Sequence, residues 1–457
     1  MRRRAARRLR PKRSADAALA GNVGNVGNVG SIGGDSMTLP GAPFLSRDGV
    51  ELRLDGHSLS ELALRFGTPL YVYSRRAMQD AAASYQRALQ GRPHLICYAM
   101  KANSNLAVLQ TFAQAGCGFD IVSGGELARV LAAGGRADRI VFSGVGKTRD
   151  EMAMALAAGV RCFNVESRGE LDVLSAVASS NSRRAAVSLR VNPDVDAGTH
   201  PYISTGLKDN KFGIAHEEAL AAYQHAARLP GLDVVGIDCH IGSQITQIDP
   251  YLDAIDRVLD LVEALEAAGI PLRHVDLGGG LGITYTDERP PSAEDLVSRM
   301  LARIDARGHG HREVLLEPGR SMVGNAGVML TEVLYLKPGA SKNFCVVDAA
   351  MNDLMRPALY QAWMAIEPVR QRQGAAPTWD VVGPVCESGD WLGRERALAV
   401  APGDFLAVLS CGAYAMAMAS NYNTRPRGAE VMVDGEHVHL IREREIAAQL
   451  FAGERLL

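Results

Sequence analysis

Between about residues 92 and 317, short apolar and β-branched runs alternate with longer stretches whose apolar positions recur every three or four residues. The short runs, at 94–99, 118–122, 140–143, 161–165, 186–191, 234–240, 273–277 and 313–317, predict strands. The stretches between them, such as Asn105–Ala115, Glu126–Ala133, Arg149–Ala158, Glu217–Leu229 and Pro250–Ala268, predict amphipathic helices. Strict alternation of this kind implies a parallel sheet, and eight units over about 225 residues fit a closed (β/α)8 barrel. An open doubly wound sheet is the competing arrangement. Past residue 318 the texture turns to strand-like runs separated by turns: Val328–Leu336, Asn343–Asp348, Trp379–Gly383, Phe405–Leu409, Val431–Val433 and His437–Ile441. These predict a second, β-rich domain, a barrel or sandwich, which the extended residues 37–55 could join. The expected division is a tail at 1–36, an N-terminal strand segment of the β domain at 37–68, the α/β barrel at 69–317 and the β-rich domain at 318–457.

The tail differs from everything after it. Eight of its first thirteen residues are Arg or Lys, Gly-Asn-Val then repeats three times, and almost nothing apolar is available to bury, so it is expected to be disordered. No apolar stretch follows the arginines as a targeting signal requires, and Met37 is the expected true start. The tail's eight basic and two acidic residues also mask the charge of the remainder, which carries a net −8 against −2 for the whole chain. A basic groove for nucleic acid is therefore not expected. The seven cysteines form no Cys-x-x-Cys pair, which argues against a zinc site or a disulfide framework and for a reducing cytoplasm. No run reaches the roughly 18 apolar residues of a membrane span. His437 and His439 alternate along one strand with no third ligand in view, so no metal is expected.

In a barrel, the residues just past each strand line the catalytic mouth. Here those positions read Lys101, Asp120, Ser143, Glu166, Asn192, His240, Gly278 to Gly280 and Glu317. Lys101 stands out because an ammonium taken from water costs several kcal/mol unless paired, and an amine that loses its charge is a nucleophile able to hold a carbonyl cofactor. Taken singly, each motif has an ordinary reading. Lys101 passes as a surface lysine, Gly278-Gly279-Gly280-Leu281-Gly282 as a tight turn, and Glu317-Pro318-Gly319-Arg320 as a solvated ion pair. His240-Ile241-Gly242-Ser243 carries what is usually a structural histidine. Cys386-Glu387-Ser388-Gly389-Asp390 reads as an acidic loop, Arg356-Pro357-Ala358-Leu359-Tyr360 as a surface loop, and Tyr414 after Gly412-Ala413 as a core tyrosine. Gly144-Val145-Gly146-Lys147-Thr148 imitates the end of a Walker loop but lacks its first glycine, since position 141 is valine.

The order of these motifs changes the reading. Tyr-Ala-x-Lys-Ala-Asn, His-x-Gly-Ser, Gly-Gly-Gly, Glu-Pro-Gly-Arg and Cys-Glu-Ser-Gly-Asp follow one another across about 290 residues. In this the chain resembles the fold type III pyridoxal-phosphate-dependent decarboxylases, and within them the diaminopimelate decarboxylase family, from about Met37 to the C-terminus. The resemblance implies pyridoxal 5'-phosphate as cofactor, bound to Lys101 as a Schiff base, with Asp120 nearby and Glu317 paired to the ring nitrogen. It implies that His240 stacks on the ring and shares in catalysis, while Ser243, Gly278, Gly279, Gly280, Gly319, Arg320 and Tyr414 hold the phosphate and its surroundings. Cys386 would reach the site from a partner subunit as proton donor, which makes the protein a homodimer with shared sites. Arg320, Arg356, Tyr360, Glu387 and Tyr414 would recognise the substrate, whose far end carries both an ammonium and a carboxylate. The implied reaction is decarboxylation of meso-2,6-diaminopimelate to L-lysine, with Glu387 in place of the Asp of the ornithine and arginine enzymes. The alternatives are a decarboxylase of ornithine, arginine or carboxynorspermidine, or a barrel that binds the cofactor without catalysis.

Overall fold

The computed structural model of the protein describes residues 39–196 and 211–457, so the basic tail and the expected start at Met37 lie outside the described residues. Strands form at His94–Ala99, Gly118–Ile121, Ile140–Phe142, Cys162–Val165, Ala185–Asn192, Leu232–Asp238, His274–Asp276 and Glu313–Leu316. Each pairs in parallel with its successor. The last pairs with the first through Val314–His94, Leu315–Leu95 and Leu316–Ile96, which closes the barrel and rules out the open sheet.

Helix starts after the strands are set by local chemistry. The side chains of Asn105, Ser123, Thr148 and Ser167 accept hydrogen bonds from Ala107, Glu126, Glu151 and Glu170, satisfying amides that the first turn leaves free. Each cap sits a few residues past a strand end, so the chain turns sharply at the mouth and holds its strand-end side chains there.

Along the barrel axis the inward residues change from apolar to polar. Leu95, Cys97, Val141, Cys162, Val235 and Leu315 pack into one buried cluster. Two residues further along the same strands come Ser143, Asn164 and Glu317, all buried and polar, because side chains two apart on a strand share a face. In the sixth strand a register shift between Val234 and Gly236 moves the inward face from Val235 to Asp238. The lower barrel is thus an apolar plug, and the upper barrel a polar layer.

The second sheet runs in the order Trp391–Ala397, Thr378–Val382, Phe344–Val347, Gly327–Lys337, Leu70–Ser74, Ala429–Asp434, His437–Arg442. Phe405–Val408 also pairs with Gly327–Lys337, and Ile366–Pro368 pairs with Phe405–Val408. Leu70–Ser74, which falls within the stretch expected to be barrel, lies between Gly327–Lys337 and Ala429–Asp434 instead. All five of its residues are buried, so its sequence shows no alternation to mark which sheet it joins. Residues Leu45–Ser58 form a separate three-stranded meander, tied to the β domain by Leu52 N–H to Val369 O at 2.8 Å and Gln371 N–H to Val50 O at 2.9 Å.

The β domain also grips the turn that carries Lys101. Tyr414 N–H donates to Ala102 O at 2.8 Å, and Asn103 Nδ2 donates to Gly412 O at 3.1 Å. Asn105 Nδ2 donates to Glu430 Oε2 at 2.9 Å, and Tyr73 Oη donates to Glu430 Oε1 at 2.8 Å. The lysine turn is therefore fixed from two sides.

Candidate active site

Lys101 lies in the short turn Met100–Ala102 after the first strand, where its Nζ meets Asp120 Oδ2 at 2.5 Å. The Asp120 side chain is fully buried, whereas that of Lys101 is 39 % exposed at the mouth. Loss of water around the amine lowers its proton affinity, but Asp120, Glu317 and Tyr414 raise it more, and the net shift is upward. Lys101 is thus a charged amine held in place at an open mouth, not the neutral one that burial alone would give.

Glu317 is buried just past the last strand. Its Oε1 accepts from Asn164 Nδ2 at 3.1 Å and from Ser143 Oγ at 3.5 Å. Burial first, then the neighbouring Asp120, Asp276 and Asp238, push its carboxyl well above the ordinary range, against the pull of Lys101. Glu317 and Arg320 do not form the solvated pair that their spacing allowed, since both are buried and Arg320 turns to Ser243 and Tyr285.

The loop Gly278–Gly280 wedges between strand ends. A Cβ on Gly279 would lie 2.1 Å from Glu317 O, and one on Gly278 would lie 2.4 Å from Cys239 O. Gly278 and Gly280 also take φ of +66° and +104°, which side-chain-bearing residues rarely adopt. His240 Nδ1 accepts from Gly279 N–H at 3.2 Å, which assigns the proton of the neutral ring to Nε2. Burial, then Arg190 and Lys101, hold this histidine well below its usual range, so it is neutral. Beside the loop, Arg320 donates to Ser243 Oγ through Nη2 at 3.0 Å and Nε at 3.3 Å, and its guanidinium stands 4.8 Å from the Tyr414 ring centre. Gly319 packs against Ala99, where a Cβ would come within 3.1 Å of Ala99 O.

The pyridoxal-dependent decarboxylase family, through its pyridoxal binding domain, matches residues 75–324. Curated relatives include diaminopimelate decarboxylase of Pseudomonas aeruginosa, 58 % identical over 91 % of this chain and 99 % of that protein. That of Vibrio cholerae is 56 % identical over 87 % of this chain and 95 % of its own length. The chain belongs to the diaminopimelate decarboxylase family. Among solved structures, that of the Helicobacter pylori diaminopimelate decarboxylase in complex with L-lysine superposes with a TM-score of 0.82 at 41 % identity, covering 86 % of this chain and 98 % of that one. The M. jannaschii enzyme in complex with L-lysine gives 0.87 at 39 % identity over 91 % of this chain and 99 % of that one.

A diaminopimelate decarboxylase uses pyridoxal phosphate, and this mouth suits it. An amine, a buried carboxylate, a side-chain-free loop that lets backbone approach, and an Arg320–Ser243 donor pair converge at the strand ends, where a carbonyl, a ring nitrogen and a phosphate need such partners. Lys101, Asp120, His240, Ser243, the glycine loop, Glu317, Gly319, Arg320 and Tyr414 all lie in this region or bond into it. Arg356 joins them. Read alone it passes as a surface residue, but it is buried at the start of the helix Arg356–Tyr360, with Tyr360 half-buried at the end.

Cys386 and Glu387 are not brought to Lys101 within the chain. Both are exposed, and their loop bonds within the β domain, to Asn423 Oδ1 from Cys386 N–H at 3.1 Å and from Tyr422 Oη to Glu387 Oε2 at 3.4 Å. Lys147 of the false Walker loop is fully buried and saturated by Gly144 O, Asn164 O and Glu170 Oε1 at 2.7–2.8 Å.

Tyr285 of the mouth went unread in the sequence, as did Asn164, Arg190, Asp238 and Asp276 behind it. Tyr285 Oη accepts from Arg320 Nη1 at 2.6 Å and from Arg356 Nη1 at 2.8 Å, joining two arginines that lie far apart in the chain. Its only sequence signal is its position in the loop after the glycines, which has no periodicity. Tyr285→Phe removes the shared acceptor, and steady-state kinetics should show KM rising about tenfold, the equivalent of ~1.4 kcal/mol, with kcat within about threefold.

Proposed function

We infer that the protein decarboxylates meso-2,6-diaminopimelate to L-lysine and carbon dioxide, the last step of lysine synthesis. The observation that carries this reading is the Lys101 amine paired with Asp120 at the mouth, in a chain that matches diaminopimelate decarboxylases over nearly its whole length. The L-lysine held by the H. pylori and M. jannaschii enzymes has the chemistry of the product.

When bound, pyridoxal phosphate supplies a ring that accepts the electron pair left as carbon dioxide departs. Lys101 holds the cofactor and carries protons at Nζ, with Asp120 orienting the amine. Glu317 presents its carboxylate to the ring nitrogen, and charge kept there favours the electron-accepting form. Neutral His240, anchored through Nδ1, offers a flat face rather than a cation. Ser243, Arg320 and the Gly278–Gly280 backbone bind the phosphate. Arg320, Arg356, Tyr360 and Glu387 recognise the substrate's distal carboxylate and ammonium. A site that leaves such groups unpaired when a shorter substrate enters can discriminate by roughly 10⁴ to 10⁵.

Cys386 acts as proton donor from the partner of a homodimer. The exposure of the Cys386–Glu387 loop, with its bonds made within the β domain, supports this arrangement. The expected location is the cytoplasm, in keeping with seven free cysteines and with the lack, among the described residues, of a helix long and apolar enough to cross a membrane. The test is carbon dioxide release by the cofactor-loaded protein from meso-diaminopimelate, ornithine, arginine and carboxynorspermidine. Preference for diaminopimelate is expected. Preference for any other, or cofactor binding without release, overturns the reading.

A further inference from the structure

Behind Glu317 lie two carboxyls for which the reaction has no stated use. Asp238 and Asp276 are register partners on adjacent strands, both essentially unexposed, and with Glu317 they bring one oxygen each within 4.8 Å of the others. Three ionised carboxylates cannot share so small and dry a space without cations. Among the described residues, the two nearby cations are already engaged. Lys101 pairs with Asp120, and Arg190 with Glu166, whose oxygens also take the Gly144 and Gly213 amides. The other titratable groups among the described residues that face the three include the thiols of Cys97, Cys162 and Cys239, which burial keeps neutral. His274, on the seventh strand, is held neutral by burial and by Arg161 and Arg273.

The hydrogen bonds are unequal in a way that sorts the protons. Glu317 Oε1 takes two side-chain donors, Asn164 and Ser143. Asp276 Oδ1 takes one backbone donor, Gly278 N–H at 3.0 Å, while Asp276 Oδ2 and Asp238 Oδ1 are buried without a partner. Donors stabilise a negative carboxylate, and an oxygen lacking one is suited to carrying the proton itself. We propose that Asp238 and Asp276 are positioning residues that stay protonated behind Glu317, so that the cluster's one negative charge rests on Glu317, facing the cofactor. Burial raises all three carboxyls, Glu317 included, so the place of the one charge is set by the donors and not by burial. Burial foremost holds Asp276 at about 7 and drives Asp238 well above the carboxylate range, with Asp120 adding to both and Asp276 and Glu166 also acting on Asp238. A cationic ring nitrogen held at Glu317 would favour ionisation there over Asp238 and Asp276.

The proposal rests on the cofactor reading of the site, and its test separates the two. Infrared difference spectra of cofactor-loaded enzyme at pH 7, wild type minus variant, report the carbonyl stretch of buried protonated carboxyls. That band should be lost in Asp276→Asn and in Asp238→Asn, either of which suffices if the other does not fold, and retained in Glu317→Gln. Loss of the band in Glu317→Gln with its retention in an Asp variant, or no such band in the wild type, overturns the proposal. Failure of the same wild-type sample to release carbon dioxide would instead count against the functional reading. In the apo protein, carboxyls whose folded proton affinity is raised lower stability as pH rises from about 4 to about 7, because the folded state holds the extra protons. The fall in Tm over that window should be shallower in Asp276→Asn, and an unchanged slope counts against the proposal.

Discussion

Lys101→Ala should reduce decarboxylation by on the order of 10³-fold and remove the visible absorbance of the lysine-linked cofactor. The loss has two separable parts. Chemically, Lys147, another buried lysine of the mouth loops, cannot take its place, since it spends its three donors on Gly144 O, Asn164 O and Glu170. Structurally, the substitution strands Asp120, whose side chain is fully buried and whose Oδ1 already lacks a partner. Breaking such a pair costs about 1–3 kcal/mol here, below the full value for a buried pair because the Lys101 side chain is 39 % exposed. Adding Asp120→Asn should therefore recover most of the lost Tm while leaving the absorbance and the activity absent. A Lys101→Ala protein that still forms a borohydride-reducible adduct with the cofactor would assign the linkage to another lysine.

The barrel was legible because its physics is local and repetitive. Each apolar run ends within two residues of an observed strand end, and caps such as Ser123 and Ser167 stand where the helical spacing begins. Reading the residue after each strand then gathered Lys101, Asp120, Glu166, His240, the glycines and Glu317, since closure of eight parallel strands brings all their C-terminal ends to one rim. What escaped depends on contacts that no period encodes. Leu70–Ser74 is buried on both faces, so its run is equally at home in either sheet, and only pairing decided for the second. Arg356 reads as polar loop because its burial comes from Tyr285, 71 residues away in the chain. Asp238 and Asp276 read as ordinary strand ends, and the register shift at Val234–Gly236 that aims Asp238 inward has no signature in composition.

Electrostatics explains why so many charges can share this mouth. The described cations are matched before a ligand arrives: Lys101 to Asp120, Arg190 to Glu166, Arg320 to the hydroxyls of Ser243 and Tyr285, and Arg356 to that of Tyr285. The two arginine matches are the weakest, because their partners are neutral hydroxyls rather than carboxylates. Those two are consequently the donors best placed to exchange their partner for a substrate carboxylate.

Mixing Lys101→Ala subunits with Cys386→Ala subunits should restore activity that neither has alone. Cys386→Ala is expected to keep the cofactor absorbance while slowing product formation about 10²-fold, as removal of a positioned proton donor does. In a shared-site dimer, a hybrid of the two variants places both lesions in one site and leaves the other with an intact Lys101 and an intact Cys386 from opposite subunits. Random exchange makes half the dimers hybrid with one good site of two, so recovery should approach about a quarter of wild type. The geometry favours this outcome over sites completed within one chain. Asn423, itself at φ +56°, fixes the Cys386 amide, and Asp390 accepts from both Val385 N–H and Met351 N–H at 2.7 Å, so the loop is braced on its own domain. A partner surface would meet the loop as it stands, with Cys386 and Glu387 already exposed. No recovery on mixing, with subunit exchange verified by two affinity tags, would place the proton donor within the chain and remove Cys386 from the shared site.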